Sequence, residues 1–117
     1  MSDFKPFSVE RPWGNFRQLT QNEITTIKIH FINPHSSLSL QYHNHRDEFW
    51  KIISGAPIVT IGENKIKAKP NDEFMIFKME KHRIEAGDEA VQILEISYDA
   101  NFDEEDIIRL EDKYGRA

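Results

Sequence analysis

Apolar and polar residues alternate without a break through Thr26-Ile27-Lys28-Ile29-His30-Phe31, and again through Leu38-Ser39-Leu40-Gln41-Tyr42-His43. A two-residue period is the mark of a strand with one buried face; wound into a helix, the same residues would scatter their apolar groups around the axis. Further extended segments are predicted at residues 48–54, 57–61, 65–69, 73–77, 82–86 and 90–98. Turn formers separate them: Asn33-Pro34, Ser54-Gly55, Gly62-Glu63-Asn64, Pro70-Asn71-Asp72 and Gly87-Asp88. Short strands at this spacing read as an all-β sandwich or barrel. A chain of 117 residues has room for one core, so a single domain over residues 1–117 is expected. A double-sheet jelly roll is an economical way to protect so many strand edges. One short helix is expected, over residues 104–113. Ile107, Ile108 and Leu110 place apolar groups on one side, Asp103 is a capping residue, acidic groups fill the first turn and Gly115 follows the end.

Residue types exclude several functions. Lys and Arg number 15 against 20 Asp and Glu, a net charge of −5. That balance argues against nucleic acid, whose binders need excess cations to displace counterions, and against anionic membrane surfaces. The absence of cysteine removes disulfides, thiolate metal sites and thiol catalysis. No apolar run nears the ~18–20 residues that span a bilayer, and the first residues lack a signal-peptide core, so a cytoplasmic setting is expected. Glycine-rich phosphate loops and Gly-x-Ser-x-Gly elbows are missing too. The eight phenylalanines read as core. Trp13 and Trp50 read as packing residues, Trp50 sharing strand parity with Glu48. His30, opposite in phase to Ile29 and Phe31, is expected to face solvent.

Chemistry concentrates in Gln41-Tyr42-His43-Asn44-His45-Arg46-Asp47-Glu48. Residues two apart on a strand share a face, about 6.5–7 Å apart. Gln41, His43 and His45 can thus point into a barrel interior, Glu48 can return to the same place across a short turn, and His82 opens a later strand. Neutral imidazoles with carboxylate or amide oxygens suit a first-row divalent metal. The leading ion is zinc; manganese, iron, nickel and cobalt remain open.

These residues resemble the motifs of the cupin superfamily. The first cupin motif is commonly Gly, five residues, His-x-His, three or four residues, Glu, six residues, Gly; here it runs His35, Gln41-x-His43, Glu48, Gly55 at the same spacings. The second is commonly Gly, five residues, Pro-x-Gly, two residues, His, three residues, Asn; here it runs Asn71, Phe77-Lys78-Met79, His82, Ala86, with the histidine alone retained. Arg11-Pro12-Trp13-Gly14, Leu38-Ser39-Leu40-Gln41, the block from His43 to Trp50 and the block from Glu105 to Arg116 look like the type II mannose-6-phosphate isomerase domain. That domain commonly ends bifunctional guanylyltransferase/isomerases. The resemblance implies a cupin double-stranded β-helix, a jelly-roll barrel. In the related type I isomerases a Gln-x-His pair, a Glu and a His hold zinc, which supports Gln41, His43, Glu48 and His82 as ligands. A set with His45 in place of Gln41 is the competing assignment.

The activity so implied is a metal-dependent interconversion of mannose 6-phosphate and fructose 6-phosphate. The reaction moves a proton between C1 and C2 through an enediol. His45 is the expected proton carrier and Arg46 the expected clamp on the sugar phosphate, with Arg11, Lys28, Arg109 and Arg116 as further cations. Two other readings stand beside it: a metal-binding cupin that holds a carbohydrate without turnover, and another cupin enzyme, a dioxygenase or nucleotide-sugar epimerase. A homodimer is expected, one copy lending a strand or its N-terminal arm to the other's pocket.

Overall fold

The computed structural model describes residues 5–98, 103 and 105–115. Among these the regular elements are all strands: β1 (Phe7–Arg11), β2 (Gly14–Gln18), β3 (Thr26–Ile32), β4 (Leu40–Tyr42), β5 (Asp47–Ser54), β6 (Ile58–Ile61), β7 (Asn64–Lys67), β8 (Glu73–Ile76), β9 (His82–Glu85), β10 (Val91–Tyr98) and β11 (Ile108–Glu111). Two sheets form the shell. One runs β3-β10-β5-β8 and the other β11-β4-β9-β6-β7, while β1 and β2 make a separate hairpin. Every pairing is antiparallel. This is the double-stranded β-helix expected from the motifs.

The inner faces of the sheets supply a core of Ile32, Trp50, Ile52, Val59, Ile76, Ile84, Val91 and Ile93. A smaller cluster of Phe49, Ile96 and Tyr98 lies under Leu19 and Met75. The Tyr98 hydroxyl donates to the Leu19 carbonyl at 3.3 Å. Arg17 fixes the hairpin by gripping both carboxylate oxygens of Glu73, with Nη2 at 2.6 Å from Oε1 and Nε at 2.9 Å from Oε2.

Three expectations need correction. The described part of residues 104–113 is not helical; Ile108–Glu111 is an edge strand paired with β4, and Glu104 lies outside the described residues. The capping signals are genuine but serve turns. Asp103 Oδ1 accepts the Glu105 N–H at 2.9 Å, and the Asp103 carbonyl accepts the Asp106 N–H at 3.1 Å. A short apolar window does not decide between helix and strand, and here pairing with β4 decides it. Second, β3 carries its period in the opposite phase. Ile27, Ile29 and Phe31 point outward, Phe31 being 72% exposed, while Lys28 and His30 line an interior cavity. Third, the aromatics are not uniformly core: Trp13 is 74% exposed, and Phe7, Phe16 and Phe77 are also exposed.

The backbone accounts for the altered motifs. His35 (φ 60°), Gly55 (φ 89°), Asn71 (φ 75°) and Met79 (φ 71°) all adopt left-handed conformations. These are the four places where cupin motifs commonly carry glycine. Three of them carry another residue in that conformation, which costs about 1–2 kcal/mol at His35 and Met79 and less at Asn71, since asparagine tolerates it.

Candidate metal centre and its cavity

The chain crosses from one sheet to the other between β4 and β5, and the site forms at that crossing. His43 leaves β4 and Glu48 lies on β5, while His82 opens β9, where it pairs with Gln41. His43, Glu48 and His82 are buried, and their ligand atoms all lie within 4.8 Å of one another. His43 Nε2 stands 3.2 Å from His82 Nε2 and 3.2 Å from Glu48 Oε2. His82 Nε2 is 3.7 Å from Glu48 Oε1.

Carbonyl oxygens set the tautomers. His43 Nδ1 is 2.6 Å from the carbonyl of Asp106, and His82 Nδ1 is 2.9 Å from that of Glu80. A carbonyl only accepts, so each Nδ1 carries the proton and each Nε2 turns a lone pair toward the other. Burial holds both imidazoles below the ordinary histidine value, the neutral form that ligates metals. Two nitrogens about 2.0–2.1 Å from one ion stand about 2.9–3.4 Å apart, for angles from octahedral to tetrahedral. The observed 3.2 Å falls inside that span. The donor set therefore fits a divalent cation, and the carbonyl bonds behind the rings are the usual outer support of such ligands.

Gln41 is adjacent. Its Nε2 is 3.5 Å from His43 Nε2, and its Oε1 accepts from the Ser39 hydroxyl at 2.6 Å. Ligation by Gln41 takes a half-turn of the amide. Arg46 is buried; its Nε donates to Glu48 Oε2 at 2.9 Å and its Nη1 to the Asp103 carbonyl at 3.1 Å. His45 is exposed and does not line the cavity beside the cage; its backbone N–H donates to Asp106 Oδ2 at 2.9 Å, next to the Asn44 N–H on Oδ1 at 2.9 Å. Trp50 sits in the core and donates its indole N–H to Glu48 Oε1 at 3.2 Å. Among the further cations, Lys28 and Arg109 face the cavity, Arg11 lies on the hairpin with its guanidinium over Phe16, and Arg116 is outside the described residues.

That cavity, about 160 Å³, is lined by Lys28, His30, Gln41, Arg46, Glu95 and Arg109, with Leu38, Ser39 and Ile107. His30, expected from the sequence to face solvent, lines the cavity instead, and Glu95 was not singled out from the sequence. His30 Nε2 lies 3.3 Å from Glu95 Oε2. The Glu95 carboxylate beside it holds the His30 imidazolium above its ordinary value, against the pull of burial. Burial pushes the Glu95 carboxyl up, but His30 brings it net below the usual range. Glu48 is pushed up, by burial first and then by the Glu95 charge. The missed signal was Glu95 itself, an acid at the same strand parity as the apolar Val91 and Ile93.

Comparison with known proteins agrees with this architecture. The family described as mannose-6-phosphate isomerase C-terminal matches residues 4–112. The xanthan biosynthesis protein XanB of Xanthomonas campestris pv. campestris is 34% identical over 109 residues, covering 92% of this chain and 23% of that protein. A mannose-1-phosphate guanylyltransferase of Salmonella montevideo is 37% identical over 110 residues, covering 92% of this chain and 23% of its own length. The chain thus spans about a quarter of the curated relatives it matches. Among solved structures, a Klebsiella pneumoniae protein with a double-stranded β-helix domain superposes with a TM-score of 0.66 at 17% identity, covering 96% of this chain and 90% of the other. That likeness concerns the fold. Among the described residues no helix is long and apolar enough to cross a membrane.

Proposed function

The chain belongs to the mannose-6-phosphate isomerase C-terminal family, and from that membership we propose that it is a metal-dependent sugar-phosphate isomerase interconverting mannose 6-phosphate and fructose 6-phosphate. The observation that carries this reading is the buried His43–Glu48–His82 triad, with two Nε2 lone pairs 3.2 Å apart, beside a polar cavity. His43, Glu48 and His82 would hold the ion, with Gln41 as fourth ligand and zinc as the leading candidate. A divalent ion there supplies Lewis-acid stabilisation to the substrate oxygen that gains negative charge as the enediol forms.

The proton that moves between C1 and C2 needs a carrier facing the same space. His45 is exposed and does not line that space; His30 lines it, its Nε2 3.3 Å from Glu95 Oε2. We therefore assign the transfer to His30, a task worth about 10²–10⁴-fold in rate when a positioned base performs it. Arg46, spanning Glu48 and the Asp103 carbonyl, holds the carboxylate in place and balances its charge.

The test is conversion of mannose 6-phosphate by the purified chain, loaded with zinc or manganese, before and after chelation. Fructose 6-phosphate should form, stop with chelator and return with the ion. A metal-loaded chain that binds the sugar phosphate but never converts it overturns the isomerase reading in favour of a carbohydrate-binding cupin.

A further inference from the structure

We propose that a second copy of this chain docks on the outward face of β3, and that the contact holds in place the edge strand whose inner face carries His30.

Strand register defines the patch. Residues directly opposed in antiparallel pairs share a face. Ile27 is opposed to Ile96 and then Phe49, Ile29 to Leu94 and then Lys51, and Phe31 to Gln92. Part of this outer face is covered from within the chain. Leu19 packs over Phe49, Ile96 and Met75, and Arg17 of the hairpin grips Glu73 on β8. The β3 side is open: Ile27, Ile29 and Phe31 are 59%, 50% and 72% exposed. Ile53, turned outward next to the core residue Ile52, adds a side chain 43% exposed. Among the described residues β3 has one neighbour, β10, and no strand beyond it.

Area and pattern fit a copy of the same chain. At about 200 Å² for each large apolar side chain, these four leave about 450 Å² in water. Two copies then contribute about 900 Å². At the roughly 60% apolar share of an interface, the contact comes to about 1,500 Å², the standard size of a stable complex. The row is also apolar on both sides of Ile29, as a self-complementary two-fold contact requires. An antiparallel copy lays Ile27 over the other copy's Phe31 and sets the two Ile29 side chains together. Gln92 and the Lys51–Glu73 ion pair, 2.9 Å long, lie beside the row as a polar rim. An anionic membrane fits less well, since the basic group at this rim is already paired and the chain carries a net charge of −5.

Alternation links this surface to the cavity. The strand that presents Ile27, Ile29 and Phe31 outward turns Lys28 and His30 inward. An edge strand gripped on one side frays more readily than a central one, so a copy packed on its outer face steadies the cavity wall. The effect on turnover rests on the isomerase reading; the interface does not.

The experiment is sedimentation velocity on the zinc-loaded chain across the micromolar range. The parent should sediment as a dimer, and Ile29→Glu should weaken dimerisation at least tenfold by burying two facing carboxylates. Trp13→Glu, at an exposed position on the hairpin, should leave the dimer intact. The chain has no cysteine, so Ile29→Cys offers one thiol to a short bis-maleimide and should yield crosslinked dimer where Trp13→Cys does not. That arm keeps the test open if Ile29→Glu fails to fold. Amide exchange over residues 26–32 should be at least tenfold slower in the dimer than in folded Ile29→Glu. A monomeric parent, or a dimer that crosslinks through residue 13 and not 29, overturns the interface. Equal exchange in dimer and monomer overturns the hold on β3. A dimer with both properties that never converts mannose 6-phosphate leaves the interface standing and removes the isomerase reading.

Discussion

Replacing Gly55 with alanine should be far more damaging than its chemistry suggests. Gly55 ends the β5 run at φ 89°, in the left-handed region. That conformation alone is bearable, since His35, Asn71 and Met79 already adopt it with side chains attached. The deciding contact is steric. A Cβ at residue 55 would lie 2.5 Å from the Ala90 carbonyl oxygen, 2.9 Å from Val91 Cγ2 and 3.1 Å from Val91 Cα. Two of these are backbone atoms at the start of β10, and Val91 is core, so neither yields cheaply. The left-handed term is about 1–2 kcal/mol and overpacking adds about 1–3 kcal/mol, offset by about 0.4–1 kcal/mol from a stiffer unfolded chain. The net loss is about 1–5 kcal/mol, or roughly 3–25 °C in melting temperature for a chain of this size. Gly62→Ala is the control: its φ is 60°, but nothing lies within 4 Å of the added carbon. It should cost about 1 kcal/mol. Urea unfolding of both variants with unchanged m-value reads the difference. Equal losses at 55 and 62 would refute the steric argument.

Three further outcomes follow from the site and its surroundings. Asp106→Ala removes the acceptor of the Asn44 and His45 N–H groups; partial rehydration limits the loss to about 1–3 kcal/mol, while loosening of the His43 turn should lower zinc affinity about 10–100-fold, read by urea midpoint and competitive zinc titration. His30 should titrate above its ordinary value by NMR and fall back toward it in Glu95→Gln. Because the folded value is the raised one, the pair's stabilisation is complete below about pH 6.5 and fades as pH rises through the folded value; a parent–variant gap that widens on alkalinisation contradicts the sign. Under the homodimer proposed from the sequence, outward Phe31 and its neighbours Ile27 and Ile29 supply apolar contact, so Phe31→Glu should halve the mass seen by sedimentation, and a parent chain that is already monomeric at high concentration refutes it.

Most of the shell was legible because alternation and turn residues are local signals. The segments predicted at residues 48–54 and 90–98 match β5 and β10 to within one residue at each end. Alternation gives the period of a strand but not its sign. On β3 the sign is reversed because the shell encloses a polar cavity, so Lys28 and His30 turn inward. The C-terminal segment misled because Asp103 and Gly115, ordinary marks of helix ends, close turns here, the Gly115 N–H donating to the Asp112 carbonyl at 3.1 Å. The triad lies among the candidates read from the sequence, Gln41, His43, His45, Glu48 and His82, although His43 and Glu48 come together across two sheets rather than along one hairpin. The His30–Glu95 pair is a contact between β3 and β10, and Arg109 reaches the cavity through the pairing of β11 with β4. Neither follows from any local pattern.

Lys28, Gln41, Glu48, His82, Glu95 and Arg109 each come from a different strand. No contiguous fragment cut from the chain keeps the opposing groups together, and a half-folded chain has no weakened version of the pocket. Any molecule that settles there selects the finished shell over every partial one, and adds RT ln(1 + [L]/Kd) to its resistance to heat. A simple melting curve, repeated across a panel of candidate ligands, thereby becomes a direct way to find the molecule this pocket retains.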